Sequence, residues 1–435
     1  MKLEIEAGEI VIHTKVFLRM ESEGVDQSTT VTQNTYLTPD LKLKHFFLIQ
    51  ELMGHRQNIE AEVKNDKLEF QVTSLDFKKK DSISFSPIIA PSATYLLNIV
   101  RSGLTIGKKG KVSILVEPFL KVTDLAYMVL RKEKAELGGK RVDAYVVHQK
   151  MRGMESISWV TTDGIVLREE SHDGFKSILE SEPVATDLGK EVFPVRSFIK
   201  LSLIKPEHEI AKPRNLERIK LMISGMNSSD LIPKDHRQKV LMTKKITRHA
   251  YASTIMIESE LPSLEKTALF PVPIKDSDRD RLLGPSPEVQ VNHPEILNLS
   301  SLLAEGERDP WRLARIINRW VYDNMEKSLV DMVTAVDALR ERRGECQSHT
   351  YLFTALARAA GIPTKIVNGL VYSEDYGSFV YHAWPEVFVG QWRALDPTLG
   401  QDRVDATHIK LTDNEREDPF KLMEFVGRIS IAIVE

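Results

Sequence analysis

The first 190 residues carry short runs in which apolar and polar positions alternate, the pattern of half-buried β-strands. Residues 94–101 differ, because their apolar positions have helical spacing, with Ser92 as a candidate N-cap and Gly103 as a stop. Asp163-Gly164 is a strong hairpin turn signal. We therefore predict a long, curved antiparallel sheet. Its candidate strands are residues 10–20, 28–37, 42–51, 57–64, 68–75, 112–118, 141–150, 155–161 and 165–171.

Strand-like runs become shorter after residue 190, and the candidates there are residues 197–204, 216–224, 240–248 and 254–258. The prolines between Pro262 and Pro294 predict an extended linker. A length of 435 residues exceeds one typical domain. We therefore predict a mainly β domain over residues 1–190, a small β domain or linker region over residues 191–284, and a C-terminal part over residues 285–435.

Helical spacing takes over at Asp309, which is a good N-cap ahead of Pro310, a good first helical residue. Thr334, with Asp337 three residues further on, resembles a capping box and predicts a second, short helix. Residues 346–360 contain neither Gly nor Pro and repeat their apolar positions at helical spacing. They predict a third helix.

The composition is ordinary for a globular protein, with 42% hydrophobic and 28% charged residues. The net charge of −3 and the lack of a basic stripe with interleaved aromatics exclude an electrostatic basis for nucleic-acid binding. No apolar run reaches about 18 residues, so we predict no membrane span. No signal peptide is visible, so the location is exported or periplasmic if such a peptide was removed, and cytoplasmic otherwise.

The only cysteine, Cys346, stands at the start of the third predicted helix. Free N–H groups and the positive end of the helix dipole stabilise a thiolate at such a position. A single cysteine also excludes an internal disulfide bond. Cys346 is the candidate nucleophile, although an isolated cysteine in an apolar helix is more often a buried small side chain.

A histidine and an aspartate lie on two strand-like runs that follow this helix. His382 falls within residues 379–389, and Asp396 directly follows residues 391–395. Gly390 separates the runs and predicts a hairpin centred one residue before it. The hairpin brings His382 and Asp396 to opposite or next-to-opposite positions. Asp396 can then hold one ring nitrogen of His382 while the other nitrogen faces the thiol, which is the arrangement of an activated nucleophile.

The segment around these residues resembles the core of the transglutaminase-like superfamily, relatives of the papain-type cysteine proteases. The motifs that carry the resemblance are Gly-x-Cys opening a helix that ends in Ala-Ala-Gly-Ile-Pro, the strand Tyr-His-Ala-Trp-Pro-Glu, and the strand Trp-Arg-Ala-Leu-Asp-Pro-Thr. They cover residues from about 300 to 415. Before them, residues 154–171, with the sequence MESISWVTTDGIVLREES, loosely resemble β domains that precede such cores in some bacterial proteins.

The resemblance implies an α+β fold, with a papain-like core at the C-terminal end after one or two mainly antiparallel β domains. It also implies a catalytic triad of Cys346, His382 and Asp396. It does not fix the reaction, because the superfamily includes hydrolases, transamidases and other acyltransferases. No calcium-binding loop of the Asp-x-Asp-x-Asp-Gly type is present, and we predict no cofactor.

Further candidates lie near the triad. His349 follows Cys346 on the same helix face and either contacts substrate or packs. Trp384 shares a strand face with His382 and either walls the substrate site or belongs to the core. His408 is a candidate supporting group. Cys346 and His349, with His382, Asp396 or His408, also offer zinc ligands, but one thiol at a helix start with a His–Asp pair fits nucleophilic catalysis better, so we predict no metal.

The predicted function is acyl transfer through a thioester on a protein, peptide or related amide substrate, most simply its hydrolysis. One alternative is transamidation to an amine acceptor. Another is a binding or scaffold protein that retains the triad, with the β domains making the contacts. The sequence leaves the substrate and the oligomeric state open.

Overall fold

Antiparallel strands are the commonest secondary structure of the chain, and the longer helices lie between residues 276 and 359. The computed structural model describes residues 2–6, 8–22, 25–74, 77–171, 174–187, 193–194, 202–247, 250–259, 268–330, 332–412 and 420–434. The fold is α+β, as predicted. The chain divides into a first unit, Met1–Arg19 with Ser28–Phe193, and a second unit, Met20–Gln27 with Pro194–Glu435.

The first unit contains two seven-stranded sheets whose strands follow one another in chain order. The first sheet consists of Lys2–Glu6, Glu9–Leu18, Thr29–Leu37, Leu43–Leu52, His55–Lys64, Lys67–Ser74 and Phe77–Ser84. The second consists of Ala90–Pro91, Lys109–Val116, Lys121–Leu137, Lys140–Met151, Met154–Val160, Val166–Ser171 and Lys176–Ile178. All neighbouring pairs are antiparallel except the first pair of the second sheet.

The two sheets of the first unit share a hydrophobic core. Phe46, Ile59 and Leu68 point inward from the first sheet and pack in one cluster with Leu115 of the second. Short helices at Tyr95–Arg101 and Glu182–Thr186, with a 3-10 turn at Glu117–Phe119, interrupt the strands. The alternation of apolar and polar positions in the sequence therefore reflects sheets with one buried face.

In the part of the chain that the structure describes, the second unit combines five helices with two four-stranded sheets. The helices are Asp276–Leu283, Pro294–Leu303, Pro310–Asn324, Ala335–Glu341 and Cys346–Ala359. One sheet has the spatial order Gln238–Thr247, Ala250–Glu258, Arg218–Met226 and Ser430–Ile433. The other, the site sheet, has the order Trp392–Ala394, Ser378–Phe388, Thr364–Ser373 and Ile409–Thr412. Short strands and 3-10 turns complete the unit at Met20–Ser22, Val25–Asp26, Pro213–Asn215, Glu326–Lys327, Arg343–Gly344 and Leu422–Glu424, and Phe193–Pro194 lies where the chain changes unit.

One hydrophobic cluster joins the two sheets of the second unit. Ile223 and Ile255, from the first of these sheets, are fully buried together with Leu370 and Leu411 of the site sheet. The cluster includes residues on both sides of the predicted boundary at residue 284, and that boundary stays a prediction. Among the residues that the structure describes, no helix is both long and apolar enough to cross a membrane.

Part of the predicted extended linker is helical. Asp276–Leu283 is a helix with Asp276 and Asp278 in its first turn, where the helix dipole favours negative charge. Pro294 begins the next helix, and His293 caps it. Residues 260–267 of the linker, and most of the strand predicted over residues 197–204, lie outside the described residues.

Candidate active site

The cysteine helix, Cys346–Ala359, begins at the only thiol of the chain. Cys346 is partly exposed, whereas most of the helix behind it is buried. Gly344 allows the tight approach to the helix, because a β-carbon at this position would lie 2.3 Å from the Ser348 hydroxyl oxygen. That hydroxyl accepts the Met332 N–H at 2.8 Å and so holds the preceding loop against the first turn.

The histidine strand, Ser378–Phe388, carries His382, which is 8% exposed. Its Nε2 lies 2.8 Å from Oδ2 of Asp396, which is fully buried. The other carboxylate oxygen of Asp396 accepts the N–H groups of Thr398 and Leu399 at 2.8 and 3.0 Å. Burial alone would raise the pKa of Asp396, but His382 and His408 outweigh it and hold that pKa well below its usual value. An ionised Asp396 requires the proton of His382 on Nε2, which leaves Nδ1 free to accept one.

The hairpin that joins His382 to Asp396 is displaced by one residue from the predicted register. Glu386 pairs with Ala394 and Phe388 with Trp392, so the centre is Gly390 rather than the residue before it. The short strand ends before Asp396, which forms an isolated bridge with Gln401 instead.

Pro385 explains why this ladder stops where it does. The Pro385 carbonyl accepts the Leu395 N–H at 3.2 Å. Proline has no N–H to return a second hydrogen bond to Leu395, so the pairing with the short strand Trp392–Ala394 goes no further.

The cysteine helix lies against the histidine strand. Thr350, one turn after Cys346, donates its hydroxyl to the carbonyl of Ala383, the neighbour of His382, at 3.1 Å. Burial lowers the pKa of His349, and the positive charges of Lys327 and His382 lower it further. The Glu345 carbonyl and the Asp396 carboxylate raise this pKa and partly offset the effect of burial. His349 on the helix is therefore within electrostatic reach of the His382–Asp396 pair. The cysteine helix therefore packs beside the strand that carries His382.

His349 and Trp384 are both almost fully buried. His349 is fixed by its Nδ1 contact with the Glu345 carbonyl at 2.9 Å. The Trp384 ring stacks on His382 at 6.1 Å between centroids and meets His408 edge-on at 5.2 Å. Trp384 thus shields the two imidazoles from water, and contact of either residue with a substrate stays a prediction.

His408 lies directly behind the pair. Its Nε2 is 3.0 Å from the same Asp396 oxygen that His382 contacts, and its Nδ1 is 3.4 Å from Oδ1 of Asp405. Asp405 is anchored by Arg214 at 2.8 Å and by the backbone and hydroxyl of Thr407. Burial would lower the pKa of His408, but the two carboxylates raise it. The sequence offered no signal for the pairing of Arg214 with Asp405, because these two residues are 191 positions apart along the chain.

A second buried charge network supports the histidine strand. Glu386 is 1% exposed and receives Lys410 at 2.6 Å and Lys365 at 3.1 Å. Lys410 also reaches Asp235 at 2.5 Å. Burial would raise the pKa of Asp235, but Lys410 lowers it to about 2. Each charge therefore has an opposite partner, as buried charges require.

The ring nitrogens of His382 and His408 and the Asp396 carboxylate lie within 4.8 Å of one another, a spacing that a metal ion would also allow. In this arrangement, however, the Asp396 oxygen already accepts an N–H from each ring. The group is satisfied by protons, which agrees with the chemistry of a triad.

A family model of the transglutaminase-like superfamily matches residues 298–397. Kyphoscoliosis peptidase of Mus musculus is 31% identical over 130 residues, which are 26% of this chain and 19% of that protein. The Homo sapiens protein of the same name is 30% identical over the same lengths. The matched part is thus about a fifth of the length of these curated relatives.

The crystal structure of a cysteine protease candidate from Cytophaga hutchinsonii matches the chain at 18% identity and a TM-score of 0.37, covering 50% of this chain and 86% of that one. The family match includes Cys346, His382 and Asp396 within its residues. Residues 298–397 therefore form a core of the transglutaminase-like superfamily, a superfamily of cysteine-based catalysis.

Proposed function

We propose that the protein hydrolyses an amide bond of a peptide or related substrate, with Cys346 as nucleophile, His382 as general base and acid, and Asp396 as the orienting carboxylate. One observation carries the proposal. His382 presents Nε2 to the buried Asp396 at 2.8 Å, which leaves its Nδ1 as the acceptor in a site shared with the first turn of the cysteine helix. This supports a pre-oriented imidazole beside a thiol at a helix start.

In the proposed reaction, His382 takes the thiol proton at Nδ1, and the Cys346 sulfur attacks the substrate carbonyl carbon. The backbone N–H of Cys346 stabilises the resulting oxyanion, because amides of the first helical turn point out of the helix. His382 then gives its proton to the leaving amine, and a thioester remains. Water, deprotonated by His382, releases the acid. Asp396 keeps the ring in one tautomer and stabilises its cationic form.

The preference for peptides is supported by the name of the matched relatives, kyphoscoliosis peptidase. The choice between water and an amine as the second acceptor is made by experiment. A fluorogenic peptide library with and without a labelled primary amine should yield new carboxyl ends and no amine-labelled product. Predominant amine incorporation would instead make the protein a transamidase.

The triad is tested by the rate at which iodoacetamide alkylates Cys346 as a function of pH, followed by intact mass. The single thiol makes the signal unambiguous. We expect fast alkylation already at pH 5–6, where a free thiol with a pKa of about 8.5 is almost entirely protonated. His382→Ala should remove this low-pH reactivity.

The matched control is His148→Ala, which removes a histidine of the first unit paired with Glu155. It should leave the profile unchanged. A Cys346 that is inert, or that reacts with the pH profile of a free thiol in the unaltered protein, would contradict the proposed function.

A further inference from the structure

Oδ2 of Asp396 is shared by two imidazole rings. His382 Nε2 lies 2.8 Å from it and His408 Nε2 lies 3.0 Å from it. The two rings are 5.8 Å apart between centroids, and Asp396 and the His408 side chain have no exposed surface. The carboxylate that orients His382 is therefore also the partner of a second, fully enclosed histidine.

The surroundings of His408 require a proton on both of its nitrogens. Nε2 must donate to Asp396, because an ionised carboxylate only accepts. Nδ1 faces Oδ1 of Asp405 at 3.4 Å, and a bare nitrogen there would set one lone pair against another. Arg214 holds the other oxygen of Asp405 at 2.8 Å, which keeps that carboxylate ionised. The ring thus lies between two carboxylates and is an imidazolium.

The charged groups that face His408 are few among the described residues. Asp405 lies three residues earlier on the same segment, Asp396 follows the short hairpin strand, and His382 lies on the histidine strand beyond Asp396. Trp384 covers the ring edge-on and carries no charge. The net charge around Asp396 is therefore set by its own carboxylate and by the two imidazole rings that contact it.

We propose that His408 is a positioning residue that acts through Asp396: as an imidazolium it clamps the carboxylate and withdraws part of its negative charge from His382. This inference rests on the proposed function, because it concerns the same triad. A triad aspartate with only one partner would stabilise the cationic form of His382 strongly and keep it from giving up its proton. The second cation weakens that hold and makes His382 a better acid toward the leaving amine.

The consequence is measurable as a shift in titration. Two unit charges about 6 Å apart in a partly screened interior change each other's protonation by about one pH unit. Replacing His408 by Gln keeps an amide donor for Asp396 but removes the charge. We expect the pH midpoint at which the His382 ring loses its proton to rise by about one unit in His408→Gln.

The experiment is NMR of the full-length protein with ¹⁵N-labelled histidine, titrated between pH 5 and 10. In the unaltered protein, His408 should give an N–H signal from each ring nitrogen at pH 7. The control variant is Lys410→Gln, which removes another buried charge two residues further along the chain, from the network with Glu386 and Asp235. It should lower stability and move the His382 midpoint less than His408→Gln does.

Three results would overturn the inference: a single N–H on His408 at pH 7, an unchanged His382 midpoint in His408→Gln, or an equal shift in Lys410→Gln. The first needs no variant, so it decides the matter even if His408→Gln does not fold. The NMR titration does not depend on the reactivity of Cys346. An inert thiol would therefore refute the proposed function, whereas the role of His408 would still be decided by the NMR result.

Discussion

At the residue scale, the orientation of His382 depends on the carboxylate of Asp396. Four donors converge on its carboxylate: two imidazoles on one oxygen and two backbone N–H groups on the other. The two backbone N–H groups fix the rotation of the carboxylate, and the two imidazole rings occupy its other oxygen as hydrogen-bond donors. Orientation of His382 therefore depends on a group that water does not reach.

Replacing Asp396 by Asn should abolish the low-pH reactivity of Cys346, because an amide has only one acceptor atom for the four N–H groups that the carboxylate accepts, and because it cannot balance a charged His408. Removing one partner of a buried ion pair typically costs about 3–5 kcal/mol of unfolding free energy. Urea denaturation followed by tryptophan fluorescence measures this, since four of the five tryptophans lie in the second unit.

The control for this substitution is Asp402→Asn, whose carboxylate pairs with Arg315 at 2.9 Å and is 36% exposed. An exposed pair contributes about 0–1 kcal/mol, so the denaturation midpoint should hardly move and the thiol should react as before. If Asp396→Asn behaved like Asp402→Asn, the central role of Asp396 would be wrong.

How much of the site follows from the sequence depends on the distance between partners. The three residues proposed as a triad stood out in the sequence, because each lies at a recognisable local signal: a helix start, a strand and a strand end. His408 was only a candidate, and Asp405 and Arg214 gave no signal, because their importance arises from contacts between segments up to 191 residues apart. Local patterns do not encode such contacts.

At the element scale, the sheet can hold Trp384 over His382 only because the adjacent strand, Thr364–Ser373, has a glycine at the right place. Gly369 lies opposite His382 in the ladder. A β-carbon there would be 2.0 Å from the Ile409 carbonyl oxygen and 2.6 Å from the Trp384 ring. Three strands therefore meet closely around this position.

Gly369→Ala should lower the unfolding free energy by about 1–3 kcal/mol, as overpacking typically does. It should also reduce alkylation of Cys346 at pH 6, because Trp384 and the ring it stacks on must shift. The comparison is Gly306→Ala, where no atom lies within 4 Å of the added carbon and only the left-handed conformation, φ +74°, is penalised. Equal thiol reactivity in both variants would contradict the argument.

The helices were predicted better than the hairpin for a physical reason. Asp309 and Thr334 accept N–H groups of the helices that they cap, so each start is marked by its own hydrogen bond. The register of the hairpin depends instead on the geometry of its tight turn and on Pro385, which lacks a backbone N–H. Either feature can shift the pairing of the two strands by one residue.

At the scale of the whole molecule, the site sheet is held by strands that lie far from it in the chain. The Gln238 side chain bonds both backbone groups of Lys410 at 2.9 Å. Ile223, in Arg218–Met226, is fully buried in the cluster that includes Leu370. The strands at residues 218–258 are therefore part of the scaffold that holds the site sheet.

Ile223→Ala should lower the unfolding free energy by about 2–5 kcal/mol, the usual cost of such a cavity. Cys346 and the tryptophans should become exposed at the same, lower urea concentration. Ile246→Ala, on a strand of the same sheet but 59% exposed, is the matched control and should change little. If Cys346 kept its protection in Ile223→Ala while the tryptophans unfolded, the two sheets would not form one cooperative unit.

The sequence predicted the β character of the first unit but not all of its strands. Lys121–Leu137, a strand of 17 residues, was missed because its second half, with alternating Lys and Glu, has the composition of an exposed helix. Pairing along both edges makes it a strand. The helix Asp276–Leu283 was missed because its neighbouring prolines indicated a linker, although proline is compatible with the ends of helices.

The solitary thiol at the start of the cysteine helix has a consequence under oxidative conditions. A thiolate that is partly open to solvent reacts with peroxides to a sulfenic acid. Most redox-regulated proteins then close a disulfide with a neighbouring cysteine, but this chain contains no other. Reversal of the damage therefore depends on a thiol from outside the chain. Without one, a second peroxide oxidises the sulfur to the sulfinic acid, which cannot form the thioester that acyl transfer requires.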